Sequence, residues 1–185
     1  MPNWKQKRSS KQHYDMQAAI YDLQYVGEQD NKIETMLESI DFGPKDLVLD
    51  LGCGTGFLFK HITENAGFIV GVDVSQKVLV QAKKRTKKMP NVDLVCADAD
   101  NIPFVDNLFN KVFAVTVLQN MPEPTKTILE MKRASKAETL FAITGLKKKF
   151  SLEGFISLLK NTKLKVVAFN DNEQLKGYVA VCVNS

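Results

Sequence analysis

The stretch LVLDLGCGTGF, Leu47 to Phe57, constrains this chain more than any other. An apolar strand bearing Asp50 near its end runs straight into Gly52, Gly54 and Gly56, three glycines within five residues. Glycine enters left-handed backbone without a Cβ penalty, so such a junction lets a loop at the carboxyl end of a strand pass close under a polar ligand. The spacing separates ligand classes. A dinucleotide fingerprint, G-x-G-x-x-G, would need glycine at position 57, where Phe57 stands, and no GK[ST] follows to make a phosphate-cradling P-loop. What remains is D-x-G-x-G-x-G, and a carboxylate at Asp50 suits a ligand carrying a positive charge rather than a pyrophosphate.

Around this loop the chain alternates. The pattern predicts strands at 47–50, 68–72, 93–96, 112–117 and 140–144, with helices between them at 56–64, at 75–88 with Ser75 as cap, and at 125–135. Alternation of this kind implies right-handed crossovers and a mostly parallel sheet covered on both faces. The end departs from it. After a helix at 152–160 capped by Ser151, LKVVAF and YVAVCV are joined by a connection too short for a crossover helix, so they pair as an antiparallel hairpin. The expected fold is α/β, a doubly wound and mostly parallel seven-stranded sheet with a terminal antiparallel strand. Ahead of the sheet, Ile33, Met36, Leu37 and Ile40 mark one face of a helix running from Asp15 to Ile40, stopped by Gly43-Pro44. The whole, 1–185, reads as a single domain, with a basic arm and a lid helix over 1–40.

Composition removes several classes. The chain has 44% hydrophobic and 25% charged residues, and no apolar run approaches the roughly 20 residues of a membrane span. Its start is basic without an apolar core, which is not a secretory leader. Cys53, Cys96 and Cys182 are scattered and have no nearby histidines, which argues for a reducing, cytoplasmic setting and against a zinc site or any other metal site made by this chain alone. A net charge of +4 says little by itself. Its distribution says more, with clusters at Lys5, Lys7, Arg8 and Lys11, at KKRTKK from Lys83 to Lys88, and at Lys147 to Lys149.

Two further acids fall where a nucleoside ligand needs them. Asp73 in GVDVS ends the second strand, where a carboxylate can accept from both ribose hydroxyls, and Asp98 in CADADNIPF follows the third, within reach of an adenine amino group. Either aspartate alone reads as a turn former or cap. Together with the glycine loop they read as a site.

Here the chain resembles the class I S-adenosylmethionine-dependent methyltransferases, from about Asp15 to the end. The residues that carry the likeness are VLDLGCGTG, GVDVS, CADADNIPF and LFNKVFAVTVLQNMPEP, with the closing hairpin. It is nearest the type 11, quinone and sterol subgroup around Leu118-Gln119-Asn120. The resemblance implies S-adenosyl-L-methionine as cofactor, with its methionine part on the glycine loop, its ribose on Asp73 and its adenine amine on Asp98 with Ala99. The candidate cofactor set is Asp50, Gly52, Cys53, Gly54, Gly56, Asp73, Val74, Asp98, Ala99 and Thr116. In the family an aromatic residue and an Asp open the fourth motif; Phe109 is followed here by Asn110, which bears on loop structure more than on catalysis. The NPPY or DPPY tetrapeptide of members that methylate exocyclic or amide nitrogens is replaced by TVLQNMPEP.

Methyl transfer from a sulfonium needs an acceptor in line with the methyl group, and a dedicated base is optional. Candidates to position the acceptor are Gln119, Asn120 and Tyr21. The two amides can hydrogen-bond an acceptor and cannot take its proton. His13, Tyr14, Tyr21 and Tyr25 lie in a segment like the family's lid, and also suit plain amphipathic packing. With no substrate domain expected, recognition falls to the arm, the loop after Gln119, the 145–153 region, or a partner. The basic arm and Lys147 to Lys149 fit RNA (tRNA or rRNA). A small lipophilic or metabolic acceptor and a protein stay open, as does a non-catalytic partner subunit with the methyltransferase fold. Compact methyltransferases of the translation machinery often need a small zinc-binding activator protein added at the sheet edge, which the resemblance extends to this chain as an expectation.

Overall fold

The structure, a computed structural model, describes residues 3–17 and 21–184. Two helices, α1 (Asn3–Gln17) and α2 (Tyr21–Leu37), precede the alternating part. There follow β1 (Leu47–Leu51), α3 (Phe59–Ile62), β2 (Phe68–Asp73), α4 (Gln76–Arg85), β3 (Val92–Cys96), β4 (Phe109–Ala114), α5 (Pro124–Arg133), β5 (Ser135–Leu146), α6 (Leu152–Asn161), β6 (Leu164–Asn170) and β7 (Gly177–Asn184). The sheet has seven strands in the order β3-β2-β1-β4-β5-β7-β6, and β7 runs antiparallel to both of its neighbours. The expected sheet is therefore present, and its antiparallel strand is inserted between β5 and β6.

The strand period of two explains the layering. Leu49, Val112 and Phe141 point to one face, where Ile128 and Met131 of α5 and Phe155 and Leu159 of α6 cover them. Their neighbours Val48, Phe113 and Ala142 point to the other, against Ile33 and Met36 of α2, Phe59 and Ile62 of α3, and Leu79 and Ala82 of α4. Each large side chain buried this way contributes roughly 1.5–3 kcal/mol. Because both faces are covered, polar chemistry is left to the strand ends, and the carboxyl ends carry the site.

Several boundaries differ from expectation for identifiable reasons. The helix predicted from Asp15 falls on α1 and α2, with residues 18–20 outside the described residues, and the basic arm is itself helical; α1 has no apolar stripe, so no period announced it. The helix expected at 56–64 shortens to Phe59–Ile62, because Gly56 takes φ +84° and the preceding turn must complete first. Strand β4 ends at Ala114, since Thr116 turns to φ +66° although the apolar pattern runs on to Val117. Ser135, expected to close a helix, opens β5 and donates its hydroxyl to the Met131 carbonyl at 2.6 Å. The caps hold as read: Ser75 Oγ accepts from the Val78 N–H at 3.1 Å and Ser151 Oγ from the Gly154 N–H at 3.0 Å. Asn110 accepts the Leu47 N–H at 3.0 Å, tying the start of β1 to β4, a structural duty in line with its reading as a loop residue.

Candidate active site

The glycine loop is built by conformation and by close packing. Gly52, Gly54 and Gly56 all have positive φ, at 69°, 56° and 84°. A Cβ on Gly52 would lie 2.5 Å from a Val117 methyl, and one on Gly56 would lie 2.5 Å from the Phe59 ring, so both also make room for a neighbour. Gly54 differs: a Cβ there would meet nothing within 4 Å, and the residue faces a cavity.

That cavity, about 130 Å³, lies at the carboxyl ends of β1 to β4. Gly52, Gly54, Asp73, Val74, Asp98, Ala99, Thr116 and Asn120 line it among others, so seven of the predicted cofactor residues and one acceptor candidate meet at one place. Asp50 and Cys53 instead line a smaller adjoining space of about 50 Å³ with Gln29 and Ile33, which the loop backbone at Gly52 and Gly54 separates from the first. Gly56 lines neither cavity and serves packing. Gln119 lies outside both, and its Oε1 is buried with no hydrogen-bond partner among the described residues. The side chains of Tyr21, His13, Tyr14 and Tyr25 lie outside the described residues.

Among the described residues Asp73 is held by backbone groups: its Oδ2 accepts from the Gly54 N–H at 3.1 Å and its Oδ1 from the Ser75 N–H at 2.8 Å. Burial raises its pKa, against those two donors. Asp50, only 3% exposed, is pushed up to about 8 by burial and then by the charge of Asp73. The same burial, with both carboxylates, drives the Cys53 thiol well above its ordinary value, so Cys53 is a protonated packing residue and no nucleophile.

Asp98 is held by a side chain. Lys7 of α1 donates to its two oxygens at 2.7 and 2.8 Å and to Asp100 Oδ2 at 2.6 Å. Burial alone would lower the pKa of Lys7; the bonds to Asp100 and Asp98 outweigh it and raise it. Asp100, which sequence reading passed over, also accepts from the Thr127 hydroxyl at 2.6 Å. The doubling of acids in CADAD was its only signal.

Thr116 is the strained member. A β-branched residue at φ +66° costs roughly 1–3 kcal/mol and persists only where its surroundings fix it. Its N–H donates to Thr144 Oγ1 at 2.7 Å, its hydroxyl donates to Gln29 Oε1 at 3.1 Å and accepts from Lys32 at 3.4 Å, and Asn120 donates to its carbonyl at 3.0 Å. Lys32, 2% exposed and paired with Glu28 at 2.7 Å, thus connects α2 to the loop after β4, a link no sequence motif announced.

A family model described as a methyltransferase domain matches residues 49–143, the span from β1 through most of β5. The chain belongs to the methyltransferase family. Demethylmenaquinone methyltransferase of Staphylococcus saprophyticus subsp. saprophyticus is 37% identical over 91 residues, 48% of this chain and 39% of that enzyme. The chain spans less than half the length of several curated relatives it matches. Among solved structures, a SAM-dependent methyltransferase from Aquifex aeolicus superposes with a TM-score of 0.81 at 18% identity, over 92% of this chain and 98% of that one. A Haloferax volcanii protein assigned as a methyltransferase, solved in complex with the Trm112 methyltransferase activator, superposes with a TM-score of 0.79 at 16% identity, over 92% and 97%. These likenesses show the Rossmann-like methyltransferase fold.

The cofactor of the family is S-adenosylmethionine, and the residues present fit it. The open face of Gly54, the backbone-anchored Asp73 and the Asp98 carboxylate surround one cavity walled by Val72, Val74, Val78 and Val117. Among the described residues no group of three or more His, Cys, Asp or Glu is placed to hold a metal, and no helix is long and apolar enough to cross a membrane.

Proposed function

We propose that this chain is an S-adenosylmethionine-dependent methyltransferase whose acceptor is RNA, working with a partner protein. The observation that carries the activity is the convergence of Gly54, Asp73 and Asp98 on one cavity at the carboxyl rim. When bound, the cofactor supplies a methyl group activated by its sulfonium. The chain's own part is to hold it: Asp73 for the ribose hydroxyls, Asp98 for the adenine amine, and the apolar walls to exclude water. Thr116 and Asn120, fixed together by the hydrogen bond between them, present a rigid edge against which an acceptor is positioned for in-line displacement. Neither can take a proton, so the acceptor is one that needs no strong base, or that loses its proton to solvent after transfer.

Support for RNA comes from lysines and arginines that stay exposed. Lys5 and Arg8 are exposed on α1, the helix whose Lys7 and Lys11 line the cavity, and Lys148 and Lys149 are exposed just after the carboxyl end of β5. Lys147, expected to join them, is engaged with Asp171 at 2.8 Å and lies over the Tyr178 ring. KKRTKK sits at the end of α4, where cations suit the helix dipole, and Arg85 stacks on Phe57. The partner reading draws on the Haloferax neighbour with its activator. The sheet offers two edges, and β3 is the regular one, whereas β6 is interrupted by a register shift between Val166 and Ala168. A second reading, a small lipophilic acceptor, is favoured by the quinone enzyme among the relatives.

Transfer of labelled methyl from S-adenosylmethionine to total RNA, or to a lipid extract, tests both, each with and without a cell extract as partner source. Label in RNA supports the first reading, label in lipid alone establishes the second, and label in neither under any condition contradicts the enzyme.

A further inference from the structure

The contact between Lys7 and Asp98 has a consequence that rests on the cofactor reading of the cavity. Asp98 is the carboxylate assigned to the adenine amine, and the protein's own ammonium already sits on both of its oxygens. Lys7 is 10% exposed, and one helical turn further on Lys11 lines the same cavity and donates to Asp15 at 3.1 Å. Asp15 in turn accepts a hydrogen bond from the hydroxyl of Ser75, the residue that caps α4 beside Asp73. The helix α1 is therefore tied across the cavity at two points, over the acid of β3 and over the cap that follows β2. Asp100, fixed by Thr127, completes a paired-acid seat that needs a cation: two carboxylates this close repel each other unless a positive charge lies between them.

A charged donor holds a carboxylate about twice as strongly as a neutral one does. The adenine amine is neutral and cannot displace an ammonium without help from the rest of the ligand. We propose that α1 is an autoinhibitory strap, with Lys7 occupying the seat of the adenine amine, so that cofactor binding requires Lys7 to give up Asp98 and α1 to lift. The cavity is thus closed by the protein until a ligand with enough further contacts, those of the ribose and the methionine part, outcompetes the lysine.

The chain carries its own reporter. Trp4 is the single tryptophan, 49% exposed, with the Lys7 ammonium 5.7 Å from its ring, so its emission follows α1. Stopped-flow fluorescence with S-adenosylhomocysteine as ligand should show an association rate that levels off at high ligand, limited by opening. In Lys7→Met association becomes faster by on the order of tenfold, with tighter binding by calorimetry. Unchanged rates in a variant that still binds overturn the strap and leave the cavity reading standing. Weaker binding overturns it too, since Lys7 would then belong to the bound site. If neither wild type nor variant binds, the cofactor reading fails and the strap with it. Should Lys7→Met not fold, Lys7→Gln serves instead, with a neutral amide in place of the ammonium. Association then becomes faster than in the wild type, and an unchanged rate contradicts the proposal.

Discussion

The two ends of the cavity, which we propose hold the ribose and the adenine, fix their carboxylates by opposite means. Asp73 takes its hydrogen bonds from the backbone of Gly54 and Ser75, groups fixed by the sheet and by a helix cap. Asp98 takes its ion pair from Lys7, 91 residues away on a helix outside the sheet. The first arrangement is set once the fold forms. The second can be exchanged for another donor. The difference teaches that, on the proposed cofactor reading, the ribose end supplies permanent affinity while the adenine end can be gated.

The sharpest way to break this comparison is Asp73→Ala. It removes an acceptor for two hydroxyls, and cofactor affinity measured by calorimetry falls on the order of a hundredfold or more while circular dichroism stays unchanged. Asp98→Ala should cost only about tenfold by the same measurement, because the loss of one neutral hydrogen bond is partly offset by freeing the site from Lys7. Equal losses in the two variants would remove the distinction between fixed and exchangeable ends.

The loop beneath Asp73 is tested next. Gly52→Ala places a Cβ 2.5 Å from Val117 at φ +69°, and denaturant unfolding should show a loss of roughly 2–4 kcal/mol. A loss within experimental error would mean that the loop is slack. Asp50 sharpens the electrostatic side. Its folded pKa of about 8 lies above its unfolded value, so the native state keeps a proton that the unfolded chain releases. The resulting stability is full below about pH 4 and is lost as pH rises towards about 8. Wild-type melting temperature should fall between pH 5 and pH 8, and this slope should flatten in Asp50→Asn; a slope unaltered by the substitution would refute the assignment. The smallest effect is expected from Lys148→Ala with Lys149→Ala: less than about 0.5 kcal/mol in stability, with RNA binding weakened a few-fold in a filter assay.

Much of this was legible in the chain before its structure. The strand-to-glycine junction and the places of Asp73 and Asp98 on one rim could be read because each sits at a fixed offset from an apolar strand, and strand ends in a parallel sheet share one rim. Ser75 and Ser151 were legible as caps because capping is local. What escaped was non-local or without periodicity. Helix α1 has no apolar face, so nothing in its pattern tells a helix from a flexible arm, and its bond to Asp98 spans most of the cavity's sequence. Lys32 was hidden because a lysine in a helix reads as solvated; only the fold shows it buried under Thr116. The turn at Thr116 was missed because Val115 and Val117 continue an apolar run across it.

The central claim is that this cavity takes S-adenosylmethionine and not a dinucleotide. Calorimetric titration of the purified chain with S-adenosylmethionine, and with NADH as the competing ligand class, tests it directly. The account predicts micromolar binding of S-adenosylmethionine with no heat from NADH. Binding of NADH, or a folded chain that binds neither ligand in both wild type and Lys7→Met, would contradict it.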